Sequence, residues 1–156
     1  MSLFQRLVAA VLLTAGLASA QAAKEAAALK IDVPVKIDGV LDEAPWSQAP
    51  VLSDFLQFQP DRGAPASVGT TVRVLYDSQA VYFGFENSDP EFGKLAARIS
   101  KRDADLKEDD AVGVYLDTLA DQRSCYVFMT NLLGTQYDGR IADNGQIGRA
   151  SCRERV

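Results

Sequence analysis

The clearest pattern of apolar and polar positions runs from Thr70 to Asp89, TTVRVLYDSQAVYFGFENSD. Thr71, Arg73 and Leu75 alternate with Val72, Val74 and Tyr76; the polar stretch Asp77-Ser78-Gln79-Ala80 follows, and then a β-branched and aromatic run from Val81 to Phe85. Period-two alternation on both sides of a short polar interruption predicts an antiparallel hairpin. Val and aromatic side chains suit a pleated, half-buried surface, and Asp and Ser supply side-chain to backbone bonds that stabilise a reversal. A lone hairpin is marginal in water, so the rest of the chain has to supply covering strands.

Those strands are readable at regular intervals. Ile31 to Val35 predicts a short strand, Asp38-Gly39 a tight reversal, and Asp42 the cap of one helical turn running through Trp46, which Pro45 limits. Val51 to Phe58 predicts a strand with Leu52, Leu56 and Phe58 on one face and Phe55 opposing them; Pro60 to Pro65 is a loop by composition. Ser88-Asp89-Pro90 marks a turn, Leu95 to Ile99 reads as a short strand or helical turn, and Lys101 to Asp110 reads as a charged, solvated loop. Ala111 to Leu116 and Cys125 to Asn131 alternate again, joined by the polar Asp117 to Ser124, and after Leu133-Gly134 a further strand starts at Thr135 to Tyr137. Many short strands with little helix predict an all-β chain, an antiparallel β-sandwich.

The ends change the domain limits. Residues 1–20 hold one charge, Arg6, an apolar run from Leu7 to Leu17 and then Ala18-Ser19-Ala20, the pattern of a secretory signal peptide. Export to the periplasm, outer membrane or extracellular space is the expected localisation. Residues 21–30 are Ala-rich and read as a flexible spacer, and the folded domain is expected over 31–146. Residues 147–156, IGRASCRERV, read as translated sequencing adapter, which makes the sandwich an N-terminal part with one sheet edge left open for later strands.

Composition excludes several functions. The net charge is −5 with no histidine, and the tail contributes Arg149, Arg153 and Arg155 against Glu154, so the remainder is more acidic still. Such a chain is a poor nucleic-acid binder, because phosphate neutralisation needs clustered Lys and Arg. Without histidine there is no Ser-His-Asp triad, no Cys-His pair and no His-ligated zinc. Cys125 and Cys152 are the two cysteines; with Cys152 in the tail, no disulfide framework is expected despite the exported context.

Five patches occur in order: IDGxxDExxW at Ile37 to Trp46, the VRVLYDSQAVYFGF hairpin, Asp89-Pro90, DDAVGVYLD at Asp109 to Asp117, and FxxNxxG at Phe128, Asn131 and Gly134. Together they resemble carbohydrate-binding module family 9, in the form found at the N-terminus of large exported bacterial proteins with a barrel-like remainder. The resemblance implies a β-sandwich that binds saccharides, is often attached to glycoside hydrolases and can carry structural calcium. It also implies an aromatic clamp residue just ahead of the Asp-x-Val strand and an arginine on the strand ending at Asn131. Lys107 and Met129 stand at those positions, and the second clamp residue would lie beyond Gln146.

Sugars are held by aromatic rings that stack on the C–H face of a pyranose, with amides and carboxylates bonding the hydroxyls. The candidate binding residues are Trp46, Tyr115, Asn131, Tyr137 and Asp138, with Tyr76, Tyr126 and Gln136 as further members of the same chemistry. Trp46 has an alternative reading as a ring buried against the sheet. For calcium, which takes six to eight oxygens, the candidates are Asp89, Asp103, Asp109 and Asp110. No catalytic pair is expected, since Asp109 and Asp110, adjacent on a strand, would point to opposite faces. The expected function is a carbohydrate-binding module that recognises an oligo- or polysaccharide and positions a downstream domain. The alternatives are a structural or assembly domain of an outer-membrane protein, and an accessory module of a glycoside hydrolase whose active site lies downstream.

Overall fold

The computed structural model describes residues 25–142 and, for the backbone alone, 147–149. Among the described residues seven strands form two sheets: β1 (Leu29–Lys30), β2 (Gly69–Tyr76) and β3 (Val81–Ser88) make the first, in the order β1-β2-β3. The second, in the order β4-β5-β6-β7, consists of β4 (Ala111–Leu116), β5 (Cys125–Asn131), β6 (Gln136–Ile141) and β7 (Ile147–Arg149). Every pairing except the parallel β1–β2 contact is antiparallel. One short helix, α1 (Ala44–Gln48), and a single 3-10 turn at Phe92–Lys94 are the only helical pieces among the described residues. The chain is thus an all-β sandwich in class, as its alternation predicts.

The central hairpin forms as predicted, and its register sets Tyr76 opposite Val81 and Val72 opposite Phe85. Its turn is organised by one side chain. Asp77 Oδ1 accepts the backbone N–H groups of Gln79 (2.6 Å) and Ala80 (2.8 Å), while its Oδ2 accepts the Tyr82 hydroxyl (2.8 Å). These bonds hold the Asp77 carboxyl below its ordinary pKa, the Gln79 N–H contributing most. The second hairpin uses the same device: Asp117 Oδ2 accepts the N–H of Gln122 (2.7 Å), and Oδ1 that of Leu119 (3.1 Å).

One core sits on the Leu75 face of the first sheet, where Ile31, Val35, Trp46, Ala49 and Leu75 are buried together with Leu29, Leu41 and Tyr82 packed against them. Gly84 lets this layer close, because a Cβ there would lie 2.9 Å from Trp46 Cζ3 and 3.0 Å from Leu41 Cδ1. Val72 and Val74 are buried on the opposite face of β2.

Five local expectations change, one of them at Leu95 to Ile99, which forms neither strand nor helical turn. The N-terminal strand is Leu29–Lys30 rather than Ile31 to Val35, inside the segment read as spacer; Ile31 and Val35 instead turn their side chains into the core. Helix α1 starts at Ala44 with Glu43, not Asp42, at its N-cap, and Pro45 falls in the first turn, where its missing N–H costs nothing. No strand runs from Val51 to Phe58: Asp54 takes φ +56°, leaving two isolated bridges, Leu52 to Val72 and Leu56 to Pro65, and Phe58 is 73% exposed. Leu106, inside the run read as a solvated loop, is buried.

The outer side of β6 is covered at Gly139–Ile141 by Ile147–Arg149, within the stretch read as adapter; backbone pairing of this kind is indifferent to side-chain identity. The signal-peptide reading of residues 1–20 lies outside the described residues. No helix among the described residues is long and apolar enough to cross a membrane.

Candidate functional site

Register assigns each candidate to a face. Across the second sheet Gly113, Met129 and Tyr137 form one row, and Tyr115, Val127 and Gly139 the next, so Tyr115, Met129 and Tyr137 share a face. Tyr115 is 61% exposed and Tyr137 half-buried, while Val127 between the strands is buried. Gly113 leaves room for Met129, whose Cγ would lie 3.0 Å from a Cβ at that position. The Lys107 ammonium is paired with Asp105 Oδ2 at 2.9 Å, and its pKa is raised first by that bond. Of the two positions at which the family likeness implies sugar contacts, Lys107 and Met129, the register sets Met129 directly opposite Tyr137.

The other candidates are placed elsewhere. Trp46 is 3% exposed, packed over Gly84 in the first sheet's core, and offers no ring face to a sugar. Asn131 is buried and uses its whole amide internally. Its Nδ2 donates to Ile99 O (2.7 Å) and Asp109 Oδ2 (2.8 Å), and its Oδ1 accepts the N–H groups of Leu133 (3.0 Å) and Thr135 (2.9 Å). An amide carries two donors and two acceptor sites, so none remains for a ligand. Asp138 is 6% exposed and lies on the face opposite Tyr137, because neighbours on a strand alternate. Arg102 Nη2 donates to its Oδ1 at 2.6 Å, and Arg102 Nη1 donates to Gln136 Oε1 on the same face. Tyr126 shares that face, and Tyr76 borders a shallow depression with Ala28 at the first hairpin's turn.

The four aspartates proposed for calcium do not converge. Asp109 accepts the N–H groups of Arg98 and Ile99 as well as the Asn131 amide; burial pushes its pKa up, yet these bonds outweigh it and the net direction is down. Asp110 Oδ2 accepts Ala96 N–H at 2.6 Å, Asp89 Oδ1 accepts Glu91 N–H at 2.7 Å, and Asp103 stands by Arg102. Among the described residues no three His, Cys, Asp or Glu side chains gather around one point. Their carboxylates serve as acceptors for irregular backbone. Asp109 and Asp110 both accept N–H groups from the segment 96–99.

Two residues that matter here were hidden in the sequence. Arg102 lay in a run that reads as solvated charge, and Ile99 contributes only its carbonyl, which accepts from both Asn131 Nδ2 and Thr135 Oγ1 (2.7 Å each). The one available signal was Gln136-x-Asp138, two polar groups at strand spacing that need a common donor.

A two-sheet, all-β domain with an exposed tyrosine on one face of its second sheet is the class defined by this geometry. Residues 37–147 match the family described as carbohydrate family 9 binding domain-like, and the chain belongs to that family. No curated protein and no solved structure matches the chain.

Proposed function

We propose that this chain is a carbohydrate-binding, non-catalytic domain of an exported protein, and that the Tyr115–Met129–Tyr137 face of the second sheet receives the glycan. Membership of the family carries the reading; the exposed Tyr115 and the half-buried Tyr137 supply the chemistry it requires, apolar rings edged with hydroxyls. Recognition would hold a downstream part of the same protein close to its polysaccharide. Titration of the purified chain against a broad panel of oligo- and polysaccharides, followed by thermal shift, is expected to give a saturable rise in Tm. A panel with no response removes the reading.

One observation favours a second reading, an assembly domain without sugar recognition. Lys107, at the position where the likeness implies an aromatic clamp, is already engaged by Asp105. That reading expects the silent panel.

A further inference from the structure

The second sheet ends on a strand whose outer side nothing among the described residues covers. β4 is the terminal member of the order β4-β5-β6-β7 and pairs with β5 alone. The turn after β5 fixes which of its backbone groups face outward. Asn131 N–H donates to Thr135 O across that turn, so Asn131, and with it Met129 and Val127, direct their backbone groups toward β6. Thr130, Phe128 and Tyr126 then face β4, where they lie opposite Val112, Val114 and Leu116. Ala111, Gly113 and Tyr115 are left with N–H and C=O groups directed away from the sheet, and no described segment bonds them. The opposite margin is closed: Asp103 N–H donates to Gln136 O at 3.0 Å, and β7 pairs with the rest of β6.

β4 also lacks the devices that blunt an edge. Its sequence, Ala-Val-Gly-Val-Tyr-Leu, holds no charge and no proline, and its register with β5 runs through every residue without a bulge. β3, the terminal strand of the first sheet, differs in carrying the charge of Glu86 within its length. On β4 the charge stands at the two ends, where the exposed Asp110 and Asp117 flank the uncharged stretch. Their carboxylates accept backbone N–H groups, from Ala96 and from Leu119 and Gln122. A second copy pairing antiparallel on this edge would bring Asp110 of each copy beside Asp117 of the other, and like charges across a strand pair destabilise it.

The ends therefore select the opposite sign. We infer that β4 accepts, by antiparallel strand addition, an extended segment of a different protein whose uncharged, β-forming stretch carries lysine or arginine at both ends. Ala111, Gly113 and Tyr115 each exchange both backbone bonds with the residue opposite, which supplies affinity, while Asp110 and Asp117 choose the partner by charge. Tyr115 takes part through its backbone alone, so the inference stands apart from the use of its ring for a glycan.

The test is amide hydrogen exchange of the full chain, read by NMR, alone and with the synthetic octapeptide Lys-Thr-Val-Thr-Val-Thr-Val-Lys or its counterpart with Glu at both ends. In the chain alone, the amides of Ala111, Gly113 and Tyr115 are expected to exchange fast, and those of Val112, Val114 and Leu116, bonded to β5, to be protected. The lysine-ended peptide is expected to bind saturably and to protect the first three. The glutamate-ended peptide is expected to bind about tenfold more weakly, since two exposed ion pairs become two like-charge contacts. Asp110→Asn combined with Asp117→Asn keeps both side chains as acceptors of the N–H groups they hold, and is expected to abolish the difference between the peptides. Protection of the three outward amides in the chain alone overturns the inference, whether a covering segment or concentration-dependent pairing of two copies supplies it. Equal affinity of the unsubstituted chain for the two peptides, protection by the lysine-ended peptide elsewhere than β4, or no binding of either peptide overturns it as well.

Discussion

Asn131 shows what a single residue does for this fold. It closes the β5–β6 turn by bonding Leu133 and Thr135, and from the same amide reaches across to Ile99 and Asp109, tying the irregular segment before β4 to the second sheet. Asn131→Leu strips four partners of their bonds at a buried site, and we expect a loss of about 2–4 kcal/mol in urea unfolding. An unchanged urea midpoint in Asn131→Leu would contradict this account. Gly84 is the counterpart in the first sheet. Gly84→Ala forces a methyl against Trp46 and Leu41, and the expected cost is about 1–3 kcal/mol, read as a lower Tm. Both roles depend on neighbours distant in sequence, which is why neither is visible in a one-dimensional pattern.

The hairpin turns and the segment before β4 share one construction: a carboxylate accepts backbone N–H groups that no ladder satisfies. Asp77, Asp109 and Asp117 all have pKa values below the ordinary 3.8 in the folded chain. A folded pKa below the unfolded one adds stability that is fully present above the unfolded value and disappears as pH falls through the folded one. Stability should therefore be flat with respect to these groups from pH 7 down to about 5 and decline below about pH 4. Asp117→Asn should make the acid limb of a Tm-versus-pH curve shallower, and an unchanged limb would show that the turn carboxylate has no such role. At the alkaline extreme the sign reverses for Lys36 and Lys107, whose pKa values are raised above 10.5 by bonds to Asp38 and Asp105, so their contribution is lost as pH rises past that value. The element patterns behind these turns were legible from residue order, since Asp-Ser between two alternating runs specifies a reversal by itself. The failed strand at Val51 to Phe58 was not, because its apolar residues satisfy the period while Asp54 leaves the β region and only two bridges form.

Across the whole molecule, protection from solvent is uneven. The central strands β2 and β5 hold the buried Leu75, Val74 and Val127, whereas the arm from Phe55 to Ala66 is held by a few backbone bonds and carries exposed apolar side chains. Amide hydrogen exchange should be slowest at Val74, Leu75 and Val127 and fastest, among bonded amides, at Gln57, Ala64 and Ala66. Equal protection in the arm and in β2 would mean that the arm is covered by something else. Alternation alone determined the all-β class and both hairpins, because side-chain direction along a strand is a local property of the backbone. The order of residues also brought Tyr115 and Tyr137 forward as candidates, since their chemistry is written in their identity. Only the tertiary structure decided that these two share a face, that Trp46 belongs to the core, and that Asn131, Asp109 and Asp138 spend their hydrogen-bonding capacity inside the fold. Those outcomes turn on which distant segment arrives at a given side chain, and burial and partnership are properties of that arrival rather than of the residue.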